Sequence, residues 1–248
     1  MADKLKALIV GAGRMGAGFG LDHKSHFYLH AKTYDDVEGI KLHAFVEPND
    51  ERASWAQERW KVPCYSNLDK ALEEIQPDIV SVCVQPDLQK QIMGAVDAFP
   101  SVKGIWCEKP WVSDLPKKPT QVNYCRRFDD FHSILRKALE VATNKRLVVM
   151  AKKDVHTVCH MTDLARFWKV DEFNYIDTPG EPGAYFLRFK FKSEWREWPF
   201  PKGGITGDLF MKKALENLME VLRGKGELIS PPENAVLSEE WANKILKG

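Results

Sequence analysis

Apolar residues in the first half of the chain occur in short continuous runs, separated by stretches in which they follow a helical spacing. Such runs, bounded by glycine, proline or polar residues, are typical of buried parallel strands. The alternation of strands and helices predicts a doubly wound parallel sheet of the α/β class. The predicted strands are 7–10, 41–46, 62–65, 79–84 and 104–107, and the predicted helices are 29–37, 48–59, 67–75 and 88–99.

A glycine-rich turn, GAGRMG at residues 11–16, directly follows the first predicted strand. Gly11 permits a tight turn, Gly13 lets the backbone approach a phosphate, and Gly16 lets the following helix pack against the strand. The N–H groups at the start of that helix can bind a pyrophosphate. The sequence therefore predicts a dinucleotide site that includes Arg14 and Met15, with a turn that binds no dinucleotide as the alternative. The polar, aromatic segment 19–28 beyond it, which contains His23 and His26, is predicted to be a solvated loop that leads into the helix 29–37.

The second predicted strand ends in an acid, Glu47. A carboxylate there can accept hydrogen bonds from the ribose hydroxyls and would repel a 2′-phosphate, so NAD is the predicted cofactor. NADP is the alternative, because Arg14 and Arg52 could change the local field. Ligands of such sheets bind at the carboxyl ends of the strands, where we also expect Gln85, Pro86 and Glu108 to contact the cofactor.

A second turn, CEKP at residues 107–110, follows the last apolar run of the first half. Pro110 restricts the backbone beside Lys109, which we expect to lie near a nicotinamide ring. A lysine that exchanges protons near neutral pH needs a pKa below the reference of ~10.4, which burial and neighbouring charges can produce. A solvated surface lysine is the alternative. Glu108 is expected to contact the cofactor ribose or the backbone.

The second half changes to alternating apolar and polar residues, which is typical of antiparallel strands. A segment with two prolines and three charges, 114–120, predicts a domain boundary near residue 120. We therefore predict a dinucleotide-binding Rossmann domain over 1–120 and a shortened α+β domain with an open, mainly antiparallel sheet over 121–248. Its predicted strands are 121–125, 146–150, 174–176, 184–192 and 195–198, and its predicted helices are 129–143, 156–168, 208–222 and 238–246.

The bulk composition narrows the possible partners and location. The chain has 36 basic and 35 acidic residues and a net charge of +1. This balance gives no indication that it binds nucleic acid or an anionic membrane. No stretch approaches the ~20 apolar residues of a membrane span. The five cysteines include no CxxC pair, which is typical of reduced thiols in a cytoplasmic protein.

Taken in order, these motifs resemble those of the Gfo/Idh/MocA oxidoreductases, and the likeness covers most of the chain. Three motifs of that family match residues 11–16, 47–49 and 108–110. A Y-x-R-R-F motif matches Tyr124 to Phe128, and H-x-x-D on a predicted helix matches His160 and Asp163. The compact second domain is similar to that of members found with surface-polysaccharide and nucleotide-sugar enzymes.

The resemblance implies an NAD(P)-dependent enzyme that transfers hydride between a nicotinamide and a hydroxyl or keto carbon of a sugar, nucleotide-sugar or cyclitol. Lys109 would handle the proton, His160 would be its acid–base partner, and the two would meet at the cofactor. The implied substrate contacts are Tyr124, Arg126, Arg127 and Asp163. The resemblance also implies a homo-oligomer, a dimer or tetramer, formed through the second sheet.

The adjacent arginines would point to opposite sides if they continued a strand, one toward a ligand and the other toward an acid of the protein. Two structural ion pairs are the alternative.

His156 stands where that family usually has an aspartate, and it shares one helix face with His160 and Asp163. We therefore place His156 with the catalytic residues. No metal site is predicted, because no fourth ligand is evident. The departure motivates an alternative function, a catalytically silent relative that binds a dinucleotide or sugar as a sensor or assembly protein. A metal-dependent hydrolase that uses this helix face is a third interpretation.

Overall fold

The computed structural model describes residues 4–21, 28–179, 184–200 and 208–247, without the side chains of His156, Phe200, Asp208 and Leu209. The chain forms two compact units. Unit 1 consists of Met1–Asn123 and Gly207–Pro232, and unit 2 of Tyr124–Thr206 and Glu233–Gly248. The first break falls close to the predicted boundary, but unit 1 also contains a segment that the sequence assigned to the second domain.

The elements up to residue 123 alternate as the apolar runs predict. They are β1 (Leu5–Val10), α1 (His30–Asp36), β2 (Ile40–Val46), α2 (Asp50–Trp60), β3 (Cys64–Tyr65), α3 (Leu68–Ile75), β4 (Ile79–Val82), α4 (Pro86–Ala98), β5 (Gly104–Cys107) and β6 (Thr120–Val122). The six strands form a parallel sheet in the order β3-β2-β1-β4-β5-β6. The strand order reverses at β1, which is where ligands bind in sheets of this kind.

The later elements include two short 3-10 helices, Cys125–Phe128 and Leu139–Val141. The others are α5 (Asp130–Ala138), β7 (Thr143–Ala151), α6 (Val155–Phe167), β8 (Glu172–Asp177), β9 (Ala184–Phe191), β10 (Glu194–Phe200), α7 (Asp208–Leu222) and α8 (Pro232–Lys247). Helix α7 belongs to unit 1 because it packs on β5. A Cβ added to Gly104 would lie 3.0 Å from Leu222 and 3.3 Å from Leu218.

Unit 2 contains a four-stranded sheet in the order β10-β9-β7-β8. Strand β9 runs antiparallel to β7 and β10, as predicted, whereas β8 runs parallel to β7. The parallel pair follows from the intervening α6, because a helical crossover returns the chain in the same direction. Apolar side chains of β7 and β9, among them Leu147 and Leu187, pack with Leu164 and Trp168 in one core. The predicted fold class, a Rossmann sheet with a smaller, mainly antiparallel second sheet, is confirmed.

Helix α1 confirms the predicted helix 29–37, whereas residues 22–27 of the predicted loop lie outside the described residues. Residues 13–17 form a single turn, in which the Ala17 N–H donates to the Gly13 carbonyl at 3.0 Å. Helix α1 begins only at His30. The N–H groups of His30 and Ala31 donate to the carbonyls of Met15 and Gly16, both at 3.0 Å, so α1 continues from that turn. The helix that the fingerprint predicts is therefore split by an inserted segment. Among the described helices, none is long and apolar enough to cross a bilayer.

Candidate active site

The three glycines of the turn differ in what surrounds them. Gly11 has a φ of +97°, and a Cβ there would lie 2.4 Å from the carbonyl oxygen of Cys83. A Cβ on Gly16 would lie 1.9 Å from the carbonyl oxygen of Gly11. A Cβ on Gly13 would meet no described atom within 4 Å. Gly11 and Gly16 are thus required by the local fold, whereas Gly13 faces space that a ligand could fill.

Glu47 joins the carboxyl ends of β1 and β2. Its Oε2 accepts a hydrogen bond from the Ala12 N–H at 3.0 Å. Its Oε1 accepts from the Asn49 N–H at 3.1 Å and from Arg52 Nη2 at 3.0 Å. The buried carboxylate is therefore fixed beside the glycine turn, where a ribose next to a bound pyrophosphate would lie.

The lysine-bearing turn after β5 is held by a residue of α4 that belongs to none of the sequence motifs. Gln89 of α4 is 2% exposed. Its amide nitrogen donates to the carbonyl oxygens of Glu108 and Pro110, both at 3.0 Å, and its amide oxygen accepts from the Val112 N–H at 2.8 Å. The peptide bond between Lys109 and Pro110 is cis. Gln89 therefore fixes the backbone on both sides of the half-buried Lys109.

A row of buried polar side chains meets Glu108. His30 Nε2 lies 3.1 Å from Glu108 Oε1, and His30 Nδ1 lies 2.8 Å from Ser81 Oγ. The Tyr34 hydroxyl lies 2.7 Å from the same serine oxygen. On the other side, Asn123 Nδ2 donates to Glu108 Oε1 at 2.5 Å. All five side chains are buried.

These contacts change the ionisation of Glu108. Burial raises the pKa of its carboxyl, but the hydrogen bond and charge of His30, the charge of Lys109 and the Asn123 hydrogen bond together leave that pKa below its ordinary value. Burial raises the pKa of Tyr34 well above 10, so its hydroxyl keeps its proton. Glu108 is therefore a carboxylate that is fixed by His30 and Asn123 and lies beside a lysine.

The predicted cofactor residues occupy the expected edge of the sheet. Gly11, Glu47 and Glu108 directly follow β1, β2 and β5. Gln85 lies in the connection from β4 and is the N-cap of α4, with Pro86 as the first helical residue, and both are exposed. Arg14 and Met15 are exposed on the glycine turn. Sequence reasoning placed His30 and Tyr34 on the predicted helix 29–37 but gave neither of them a role in the site. Their spacing of four residues on one helix face could have revealed a buried pair.

The sequence analysis considered the two adjacent arginines as the continuation of a strand. In the structure they lie in the 3-10 helix Cys125–Phe128 of unit 2. Arg127 is 4% exposed and binds both carboxylate oxygens of Asp163, which is 2% exposed. Ser238 also donates to Asp163, at 3.2 Å. Burial raises the pKa of Asp163 even though Arg127 and Ser238 oppose the rise. For Arg127 this is the structural ion pair that the sequence analysis left as the alternative, and the substrate contacts of Arg127 and Asp163 stay predictions.

The other predicted residues of unit 2 are Tyr124, Arg126, His156 and His160. The Tyr124 hydroxyl donates to Glu239, and its ring meets that of His160 edge-on, with 6.1 Å between centroids. Burial and the neighbouring Glu239 raise the pKa of Tyr124 well above its usual value. Arg126 is half-buried, and the side chain of His156 lies outside the described part of the chain. Sequence reasoning did not find Glu239, which carries no local motif.

The fold and these two turns define a class, the dehydrogenases that combine a Rossmann unit with a smaller second unit. Residues 5–127 match the family model described as an oxidoreductase family with an NAD-binding Rossmann fold, that of Gfo, Idh and MocA. The chain belongs to this Gfo/Idh/MocA oxidoreductase family.

Relatives of known name support this placement. Inositol 2-dehydrogenase of Corynebacterium glutamicum strain R is 27% identical over 164 residues, which are 60% of this chain and 45% of the relative. The chain thus spans about half the length of the curated relatives it matches.

Two solved structures share the fold over nearly the whole chain. A probable dehydrogenase from Thermotoga maritima has a TM-score of 0.75 at 13% identity and covers 98% of this chain and 97% of its own. The WlbA dehydrogenase from Chromobacterium violaceum, in complex with NADH and UDP-GlcNAcA, has a TM-score of 0.72 at 12% identity. The match covers 100% of this chain and 95% of the WlbA chain.

Proposed function

We propose that this chain is an NAD-dependent oxidoreductase acting on a hydroxyl-bearing carbon of a cyclitol, sugar or nucleotide-sugar. The observation that carries the proposal is the turn after β5, where Lys109 is held between a buried carboxylate and the Gln89 clamp. This turn follows β5, and the glycine turn follows β1 of the same parallel sheet. The names of the relatives, inositol 2-dehydrogenase and WlbA, support this substrate class.

The residues of unit 1 fit a dinucleotide. The space beside Gly13 lets a pyrophosphate approach the backbone, and the turn 13–16 replaces the helix start that the fingerprint usually provides. Glu47, fixed beside this turn, would accept hydrogen bonds from the ribose hydroxyls, and this favours NAD over NADP. Arg52 already binds Glu47. NAD, when bound, accepts or donates the hydride.

The proton is moved by the chain's own side chains. The Lys109 amine would take the proton of the substrate hydroxyl as its carbon loses hydride, and would return that proton in the reverse reaction. His160 would be the second acid–base group, because imidazole titrates near ~6.5. The catalytic role of His156 and the substrate contacts of Tyr124 and Arg126 stay predictions.

The open face of the second sheet supports a homo-oligomer, either a dimer or a tetramer. Met150 and Ile176 are paired across β7 and β8 and are 37% and 47% exposed. Val148 and Phe186 are paired on the same face. An apolar sheet face of this kind is normally covered. We also propose a cytoplasmic location, which is favoured by five cysteines that include no CxxC pair.

The test compares NADH binding with turnover. Fluorescence titration should show saturable NADH binding, and NAD⁺ reduction should be found in a panel of myo-inositol, sugars and nucleotide-sugars. Lys109→Ala should keep the NADH Kd within about threefold and lower kcat by roughly 10²–10⁴. Lys90→Ala, on the exposed face of nearby α4, is the matched control and should leave both unchanged. Absence of saturable NADH binding would refute the proposal.

A further inference from the structure

The buried row Tyr34–Ser81–His30–Glu108 crosses unit 1 from α1 to the lysine-bearing turn without reaching solvent. The exposed fractions are 2% for Tyr34, 0% for Ser81 and His30, and 5% for Glu108. The His30 ring also packs on Trp106, with 3.9 Å between ring centroids. A buried imidazole with partners on both nitrogens has a fixed orientation, because turning the ring would leave polar groups unpaired.

The direction of each hydrogen bond in the row follows from the chemistry of its two ends. An ionised Glu108 can only accept, so His30 Nε2 must carry a proton. In the neutral form of the ring Nδ1 accepts, and the Ser81 hydroxyl then donates to it. Ser81 in turn accepts from Tyr34, whose hydroxyl keeps its proton because burial raises its pKa. Of the two neutral tautomers of His30, the Nε2–H form is thus the one in which each donor in the row has an acceptor.

Two other groups besides His30 act on the Glu108 carboxylate. Asn123, directly after β6, donates a hydrogen bond to it, and the charge of Lys109, the next residue in the chain, lowers its pKa. The thiols of Cys83 and Cys107 also sense this charge, since burial first and Glu108 second raise their pKa values. These thiols stay protonated, so they add no competing charge around Glu108.

We propose that His30 is a positioning residue for the reaction: its Nε2–H holds the Glu108 carboxylate in place beside Lys109, and Ser81 and Tyr34 fix the orientation of its ring. This inference rests on the proposed function for Lys109 as the proton-handling group. It assigns a role to a histidine that lies beyond the inserted segment and outside the glycine fingerprint.

Two substitutions of similar polarity separate this role from a structural one. In His30→Gln the amide nitrogen can reach the place of Nε2 and donate to Glu108. In His30→Asn the shorter side chain reaches only the place of Nδ1, so Glu108 loses a donor. His132→Asn, which replaces a buried histidine of unit 2, is the matched control for losing a buried ring.

The first measurement needs no substrate. The Glu108 carboxyl resonance of ¹³C-glutamate-labelled full-length protein, assigned with Glu108→Gln, is titrated by NMR. Wild type, His30→Gln and His132→Asn should titrate together below the ordinary glutamate range. His30→Asn should titrate about one pH unit or more higher, as expected for losing a hydrogen bond to a charged group. Equal midpoints for the asparagine and glutamine variants would overturn the inference.

The second measurement is the initial rate with NAD⁺ and myo-inositol. His30→Asn should lower kcat about tenfold or more while KM for NAD⁺ changes less than twofold, and His30→Gln should restore most of the rate. If wild type binds no NADH and reduces no NAD⁺, the proposed function fails, yet the carboxyl titration still decides whether His30 controls Glu108. An active wild type with equal kcat in the asparagine variant would reject the positioning role alone.

Discussion

Arg127 and Asp163 bind each other through two parallel hydrogen bonds, with Nε 2.9 Å from Oδ2 and Nη2 2.6 Å from Oδ1. The pair ties the 3-10 helix after β6 to α6, and neither side chain is more than 4% exposed. Both residues belong to the family motifs, so this contact gives them a role in the internal structure of unit 2.

Removal of one partner should destabilise the protein. Asp163→Ala leaves the Arg127 guanidinium buried without its carboxylate, which typically costs about 3–5 kcal/mol. Urea denaturation should show this loss. The double variant Arg127→Met/Asp163→Leu should be less destabilised than either single change, because no unpaired charge remains. A stable Asp163→Ala variant with weakened substrate binding would instead favour the original substrate-contact prediction.

The glycine turn offers two alanine substitutions with opposite expected effects. Gly16→Ala places a Cβ 1.9 Å from the Gly11 carbonyl oxygen, so the turn must move and stability should fall. Gly13→Ala has no described atom within 4 Å of its Cβ, so stability should change by less than about 0.5 kcal/mol. Its NADH Kd should nevertheless rise at least tenfold, because the methyl group occupies the proposed pyrophosphate site.

Thermal denaturation and NADH titration of both variants check this contrast. Gly94→Ala, which also has open space around its Cβ but lies within α4, is the control for the effect of adding a methyl group. Unchanged NADH affinity in Gly13→Ala would contradict a pyrophosphate at this turn.

The apolar runs were sufficient to predict the first sheet, because parallel strands buried on both faces are nearly uninterrupted apolar segments. Strands β4 and β5, in which every residue is buried, are of this type. The predicted helix 29–37 matches α1, but the helix start expected directly at the glycines is a single turn, because the fingerprint's spacing says nothing of an insertion before His30. The parallel direction of β8 was missed because alternation shows which residues share a face and not which way a strand runs.

The candidate site was predictable at residues that belong to motifs and less so at residues that support them. The turns at Gly11 and Glu108 follow strands, and their position follows from the fold alone. Gln89 and His30 act through contacts with residues 19 and 78 positions away, respectively, which no local pattern encodes. The roles of the unit 2 residues depend on partners such as Glu239, which is 115 positions from Tyr124.

Replacement of Gln89 should weaken the lysine-bearing turn. Gln89→Met keeps the volume but removes all the hydrogen bonds to Glu108, Pro110 and Val112. Loss of donors to buried acceptors should destabilise unit 1 by about 1–3 kcal/mol, with a lower kcat because Lys109 is less well fixed. Gln91→Met, two residues later on α4 and exposed, is the control. Denaturation and initial rates measure the two effects, and a fully active, fully stable Gln89→Met would disprove the clamp.

Acid should destabilise unit 2 through His132. Burial, and then the charge of Arg126, lower the pKa of His132 to about 4, although Asp129 Oδ2 lies 3.6 Å from its Nε2. The unfolded chain binds this proton near pH ~6.5, so the stability that the neutral ring provides is complete above that value and is lost as the pH falls toward 4. A difference of this size corresponds to roughly 3 kcal/mol at most. Urea denaturation between pH 7 and pH 4 should give a shallower fall for His132→Asn than for wild type, although its stability at pH 7 is lower because the ring contact with Trp168 is lost. Parallel curves for the two proteins would show that another group causes the acid sensitivity.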